Sequence, residues 1–271
     1  MADRLVWASA AIGIIVLLMV ASAYYYYTFI SSDSGPSPSA AATPTPSGAS
    51  SASPPSTTDL NWGGYAVSSD FNNPQPVISA VSGSWTVPQI AVSQNDTFSA
   101  IWVGIGGTFG STLIQTGTEQ DCINGVASYF AWYELLPDVS VTITTMDVSP
   151  GDQMTASITL SNPALSSWTI SISDLSTGQS FSQGFFYESS RLSAEWVVER
   201  PLVNNVLSHL ADFSLITFSD CSLKTDSKQQ NLDALPLLKI VLSSRQKIQL
   251  VDVSNVGSDG SSFTIKYLLP M

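Results

Sequence analysis

Basic side chains are scarce in this sequence. Nine Lys and Arg stand against 21 Asp and Glu in 271 residues, with one histidine and two cysteines. A formal net charge of -12 repels phosphate backbones, which argues against a nucleic-acid partner. From Asp59 onward there are eight Lys or Arg and one His, so full protonation of the carboxylates leaves only a modest positive charge. That limits the self-repulsion that drives acid unfolding. His209 would have to be the base of any Ser-His-Asp hydrolase, yet no G-x-S-x-G elbow accompanies it, and it reads as a surface or satisfied histidine. Two cysteines and one histidine do not make a zinc site. "GIGG" at 104–107 lies between strands and not at a strand-to-helix turn, so it is no phosphate loop. No metal and no other cofactor is expected. Carboxylates and amides are the chemistry that remains.

What the chain has in quantity divides it into three parts. Residues 1–30 carry a run of 26 uncharged residues from Leu5 to Ile30, long enough to cross a bilayer as one N-terminal transmembrane helix. Tyr24 to Tyr27 suit an interfacial aromatic belt. "ASA" at 21–23 fits a signal-peptide cleavage site, so the segment is a signal anchor or a cleaved signal. The chain is then expected on the extracellular side of the membrane, or secreted. Residues 31–58 are Ser, Pro, Ala, Thr and Gly with only Asp33 charged, the composition of a disordered stalk. Residues 59–271 read as an all-β domain. At least twelve short β-branched or alternating runs, such as "SAIWVGI", "VSVTITTMDV" and "SWTISISDL", are separated by turn residues. One stretch, "PLVNNVLSHLADF" at 201–213, has apolar residues at helical spacing and is a candidate short helix or turn. Many short strands without βαβ alternation predict a sandwich or jelly roll. In an exported chain Cys122 and Cys221 are candidates to pair, for roughly 4–5 kcal/mol through a loop of this length; sequence leaves the pairing open.

Three strand-like runs carry polar groups inside apolar patterns. "AEWVVER" sets Glu195 and Glu199 on one strand face, "AWYELL" does the same for Trp132 and Glu134, and "LIQTG" places Gln115 on the face of Leu113. Each alone is equally a solvent-face residue of an antiparallel sheet. Together with Trp102, Trp132 and Trp196 they suggest a concave, aromatic-lined face.

The segments "NWGGYAV" (61–67), "VSGSWTVP" (81–88), "IWVGIGG" (101–107), "LIQTG" (113–117), "YFAWYELLPD" (129–138), "GDQM" (151–154), "AEWVVERP" (194–201) and "FSDCS" (218–222) resemble, in order, those of the glutamic peptidases, the eqolisin family of acid endopeptidases. The resemblance implies a concanavalin-like jelly-roll sandwich of two packed seven-stranded antiparallel sheets, with a substrate cleft along the concave one. It implies a catalytic Gln115–Glu199 pair acting on a polypeptide substrate. Spacing does not separate Glu195 from Glu199; the family pattern makes that choice. The same carry-over places Trp102 and Glu134 at the active site, Glu134 behind the catalytic pair; Trp132 and Trp196 fall in the core or the cleft wall. Gly106 and Phe130 stand where fungal members usually carry acids. A monomer is expected. The alternative reading is a non-catalytic jelly-roll module that binds carbohydrate or cell-surface polymer through its tryptophans.

Overall fold

A computed structural model describes residues 53–226 and 228–268. The apolar run of residues 1–30 and the stalk up to residue 52 lie outside the described residues. Among the described residues no helix is long and apolar enough to cross a membrane.

The alternating runs form strands. In chain order these are β1 (Ser56–Asp59), β2 (Trp62–Ser68), β3 (Ile78–Thr86), β4 (Thr97–Ile105), β5 (Ile114–Ile123), β6 (Val126–Leu135), β7 (Val141–Thr142), β8 (Gln153–Asn162), β9 (Ser167–Asp174) and β10 (Ser180–Phe186). There follow β11 (Ser193–Glu199), β12 (Leu202–Val203), β13 (Val206–Leu207), β14 (His209–Leu210), β15 (Leu215–Thr225), β16 (Lys228–Asn231), β17 (Leu237–Leu242), β18 (Val251–Val253) and β19 (Phe263–Tyr267). One sheet has the order β1-β17-β2-β11-β4-β5-β6-β7, with β14 also paired to β4. The other has the order β10-β9-β8-β3-β15-β19-β18, with β16 paired to β15. Pairing is antiparallel except at β1–β17 and β14–β4. The sheets have nine and eight strands where the resemblance implied seven each; the excess is the short strands β1, β14 and β16.

Strict alternation builds the core. Along β9 every second residue, from Trp168 through Ile170 and Ile172 to Asp174, is buried. An aromatic chain ties the sheets together. Tyr65 on β2 meets Phe263 on β19 edge-on at 4.9 Å, Phe263 stacks on Phe218 of β15 at 5.0 Å, and Phe218 touches Trp85 of β3 at 6.0 Å. The Trp85 indole N–H then returns to the first sheet, donating to Thr118 Oγ1 on β5 at 3.0 Å. Such ring pairs add roughly 0.5–1.5 kcal/mol each beyond area burial.

Four expectations change. The helix candidate at 201–213 is a tight hairpin, β12–β13, followed by the short strand β14. Asn204 and Asn205 at its turn both take positive φ (53° and 61°), the geometry that a two-residue hairpin demands and asparagine tolerates. The sheet begins at Ser56, because Ser56 to Thr58, read as the end of the stalk, pair with Lys239 to Val241. Cys122 and Cys221 are both free and buried. They lie on different sheets, Cys122 near Ser93 and Cys221 at a bulge of β15. Trp196 points into the inter-sheet core, where its N–H donates to the Ser82 carbonyl at 2.8 Å, and not onto the face of Glu195 and Glu199.

Gly117 on β5 marks the tightest approach between neighbouring strands. A Cβ there would sit 2.0 Å from the Ile101 carbonyl oxygen and 2.7 Å from Trp102 Cβ. Overpacking against backbone cannot be relieved by a rotamer change. Gly117→Ala is therefore expected to cost at least about 2 kcal/mol in urea unfolding. Gly184→Ala on β10, with only the Trp168 carbonyl near at 3.9 Å, is expected to stay within about 0.5 kcal/mol of the parent.

Candidate active site

The first sheet has two buried faces. Ile101, Val103, Ile105, Ile114, Ala131 and Trp196 point into the inter-sheet core, so their sequence neighbours point to the outer face. Strand register arranges that face in rows. Glu195 (β11), Gly104 (β4), Gln115 (β5) and Glu134 (β6) form one row. Val197, Trp102, Gly117 and Trp132 form the next. Trp62 (β2), Glu199, Ala100, Glu119 and Phe130 form the third. Asp121 lies beyond it, opposite Phe98.

All five residues singled out for the site from sequence lie on this one face. Gln115 Nε2 donates to Glu134 Oε2 at 2.5 Å, which orients the carboxamide. A primary amide has two N–H bonds, so one remains for another acceptor. Trp102 Nε1 donates to Glu199 Oε2 at 2.9 Å. Trp62 packs edge-on against Trp102 at 4.9 Å and 78°, which fixes the indole plane. Trp132 lies in the row of Trp102, with Gly117 between them.

Glu195 and Glu199 part company here. Glu195 is fully buried and its Oε1 accepts from both the backbone N–H (3.0 Å) and the hydroxyl (2.8 Å) of Thr108. It pins the loop after β4. Glu199, at 6 % exposure, is the most open of the face's five acids. Yet the Gln115 row holds Glu195, and Glu199 stands two rows away across Trp102.

Several contributing residues escaped the sequence reading. Glu119 and Asp121 are buried on the same face as Gln115. Their signal was parity, since 115, 119 and 121 share one face of a strand. Tyr187 accepts from the Leu113 N–H and donates to the Leu136 carbonyl, both at 2.8 Å, bracing the chain just before Gln115 and just after Glu134. Nothing local to its sequence announces that role.

Among the described residues Glu119, Asp121, Glu134 and Glu195 have no cation within ion-pairing distance. Burial, with the Glu199 carboxyl nearby, pushes Glu134 up to about 8 against the opposing hydrogen bond from Gln115. Burial pushes Asp121 up to about 8 as well. Burial and the adjacent Asp121 hold Glu119 well above the ordinary carboxyl range. Burial also raises Glu195, opposed by the hydrogen bonds around it. This dry face suits neutral carboxyls. The three tryptophans proposed to line a sugar-binding surface, Trp102, Trp132 and Trp196, are all at most 1 % exposed and offer no open stacking platform.

The sign of the pH dependence follows. Glu134 and Asp121 keep their protons when folded at pH values where the unfolded chain has lost them. Stability is expected to be full below about pH 4 and to fall as pH rises toward 8. Urea midpoints across that range check this, and Glu134→Gln with Asp121→Asn should flatten the curve. A midpoint that stays level or rises in the parent would contradict it.

A family model described as the Peptidase A4 family matches residues 60–267. Scytalidopepsin B of Scytalidium lignicola is 29% identical over 226 residues, spanning 79% of this chain and 80% of that protein. A crystal structure of scytalido-glutamic peptidase with a transition state analog inhibitor is similar with a TM-score of 0.64 at 28% identity, over 78% of this chain and 99% of that one. The crystal structure of aspergilloglutamic peptidase from Aspergillus niger gives a TM-score of 0.56 at 28% identity, over 64% of this chain and 99% of that one. The family match spans both sheets and every residue named on the outer face, and the chain belongs to the Peptidase A4 family, the glutamic peptidases.

Proposed function

We propose that this glutamic peptidase is an acid endopeptidase in which Glu199 moves the proton and Gln115 holds the oxyanion. The observation that carries the reading is the position of both groups on one buried face, each held by a hydrogen bond: Gln115 donates to Glu134, and Trp102 donates to Glu199. Ionised Glu199 takes a proton from water as the oxygen attacks the peptide carbonyl carbon. The carbonyl electrons move onto oxygen, and the second N–H of Gln115 donates to that oxyanion. Protonated Glu199 then gives its proton to the peptide nitrogen, and the C–N bond breaks. Gln115 does not titrate, so it donates throughout the acid range in which a carboxyl exchanges protons. Glu134 and Glu119, held above the ordinary carboxyl range by burial and neighbouring carboxyls, keep their protons in acid and do not compete for the role of base.

Row geometry adds a constraint. A substrate carbonyl that reaches both groups lies across Trp102, in the row between them. The Trp102 indole lies between the two groups and donates the hydrogen bond that steers Glu199. We further read the sandwich as a jelly roll and the enzyme as extracellular, with residues 1–30 as its anchor or signal and residues 31–55 as the stalk.

The test is cleavage of a denatured protein from acid to neutral pH by residues 53–271. Activity confined to acid is expected. Gln115→Ala should lower kcat by about 10²–10³, the loss typical of one oxyanion donor, and Glu199→Gln should abolish turnover. Glu195→Gln should affect stability more than kcat, since that acid pins the Thr108 loop. Undiminished turnover by Glu199→Gln would overturn the mechanism.

A further inference from the structure

Arg200 follows Glu199 directly and turns to the other side of the chain. It is buried, at 8 % exposure, in a domain where acids outnumber bases. Even so, no carboxylate lies within ion-pairing distance of it among the described residues. Its Nε and Nη2 both donate to one neutral acceptor, the Leu60 carbonyl, at 3.1 and 2.6 Å. Asp59 and Arg245 are the charges close enough to act on it, with opposite signs. A buried guanidinium ordinarily sits against a carboxylate or a phosphate, because a carbonyl dipole offsets only part of the lost hydration.

The same guanidinium lines a cavity of about 240 Å³. Other lining residues are Ser93, Asn95, Thr97, His209 and Tyr267. They present hydroxyls, an amide and the chain's one imidazole, and no carboxylate. Thr97 Oγ1 is buried without a protein hydrogen-bond partner. The fold gathers these groups deliberately close: β14 pairs with β4 in parallel, which sets His209 beside Thr97. The nearby acids are turned to other work. Asp96 Oδ1 accepts from the Asn124 N–H, and Asp59 Oδ1 accepts from the N–H groups of Asn61 and Trp62.

We infer that this cavity binds a small oxyanion, a carboxylate or a phosphate, between the Arg200 guanidinium, the His209 imidazole and the Thr97 hydroxyl. A planar or tetrahedral oxyanion matches the forked donors of arginine and accepts from the hydroxyl and imidazole together. The bound anion would complete the electrostatics of Arg200. It would also brace Leu60 and the adjoining Trp62, which pairs with Glu199 across β2 and β11. The site is separate from the outer face of the first sheet, and its existence does not depend on the peptidase mechanism.

The experiment is thermal unfolding and isothermal titration of the folded chain in mildly acid buffer, with ionic strength held by sodium chloride. The probes are inorganic phosphate, citrate, and a short peptide with a free or an amidated C-terminus. Saturable stabilisation by phosphate, citrate or the free-acid peptide, beyond that of chloride, is expected. A preference for phosphate marks an inorganic ligand. Preference for citrate marks an organic acid, and discrimination between free-acid and amidated peptide marks a chain terminus. Arg200→Gln removes the charge but also the Leu60 contact, so the deciding variants are Thr97→Val, nearly isosteric, and His209→Ala at an exposed position. Each should weaken binding about tenfold or more, as expected for a hydrogen bond to a charged group, while unfolding without anion changes little. Stabilisation no greater than that of chloride, or binding equal in parent and both variants, would overturn the assignment.

Discussion

A carboxyl group buried away from water resists ionising, and the outer face of the first sheet gathers five buried acids. Glu119, Asp121, Glu134, Glu195 and Glu199 share that face, and every one of them is buried. The rest of the site follows from this constraint. Neutral carboxyls can act as donors and acceptors at close range, so Glu134 can stand against Gln115 and Glu119 beside Asp121 without a counter-ion. The arrangement is stable where protons are abundant. A preference for acid is therefore built into how the sheet is packed.

Packing makes the dry face possible. β4 and β11 are buried along their whole lengths, and β5 as far as Cys122, because both faces of the sheet are covered, one by the second sheet and the other by Trp62, Trp102, Trp132 and the apolar side chains around them. Gly117 lets the Trp102 strand approach, and Trp62 holds the indole at a fixed angle. The hydrogen bond from Trp102 to Glu199 is thus the end of a packed series that starts in the backbone of β5. Tyr187 performs a similar service for Gln115 and Glu134 from outside the sheet.

Much of this was legible residue by residue. Strand alternation placed Glu195 with Glu199 and Trp132 with Glu134, and the ordered motifs singled out Gln115, Glu199, Trp102 and Glu134 together. Parity also carried information that the reading passed over. Residue 196 must face away from 195 and 197, which decides for the core between the two places open to Trp196; Glu119 and Asp121 must face with Gln115. The segment 201–213 misled because helical spacing of apolar residues over a dozen positions is also produced by a hairpin with a short following strand. Two consecutive asparagines were the better signal there. The cysteines could not be judged from the chain alone, since pairing depends on the distance between two sheets.

The sequence by itself determined the all-β class, the alternation of the longer strands such as β9, the scarcity of bases and the set of residue types available for chemistry. These are local or compositional properties, and period two needs no partner to be read. Only the tertiary structure decided which alternating face met the second sheet and which became the acid face. It alone decided that Gln115 lies in the row of Glu195 while Glu199 lies across Trp102, and that Arg200 is buried against the Leu60 carbonyl. Register joins residues some eighty positions apart, and burial sets the charge state of an acid; both are long-range outcomes of packing that no window of sequence contains.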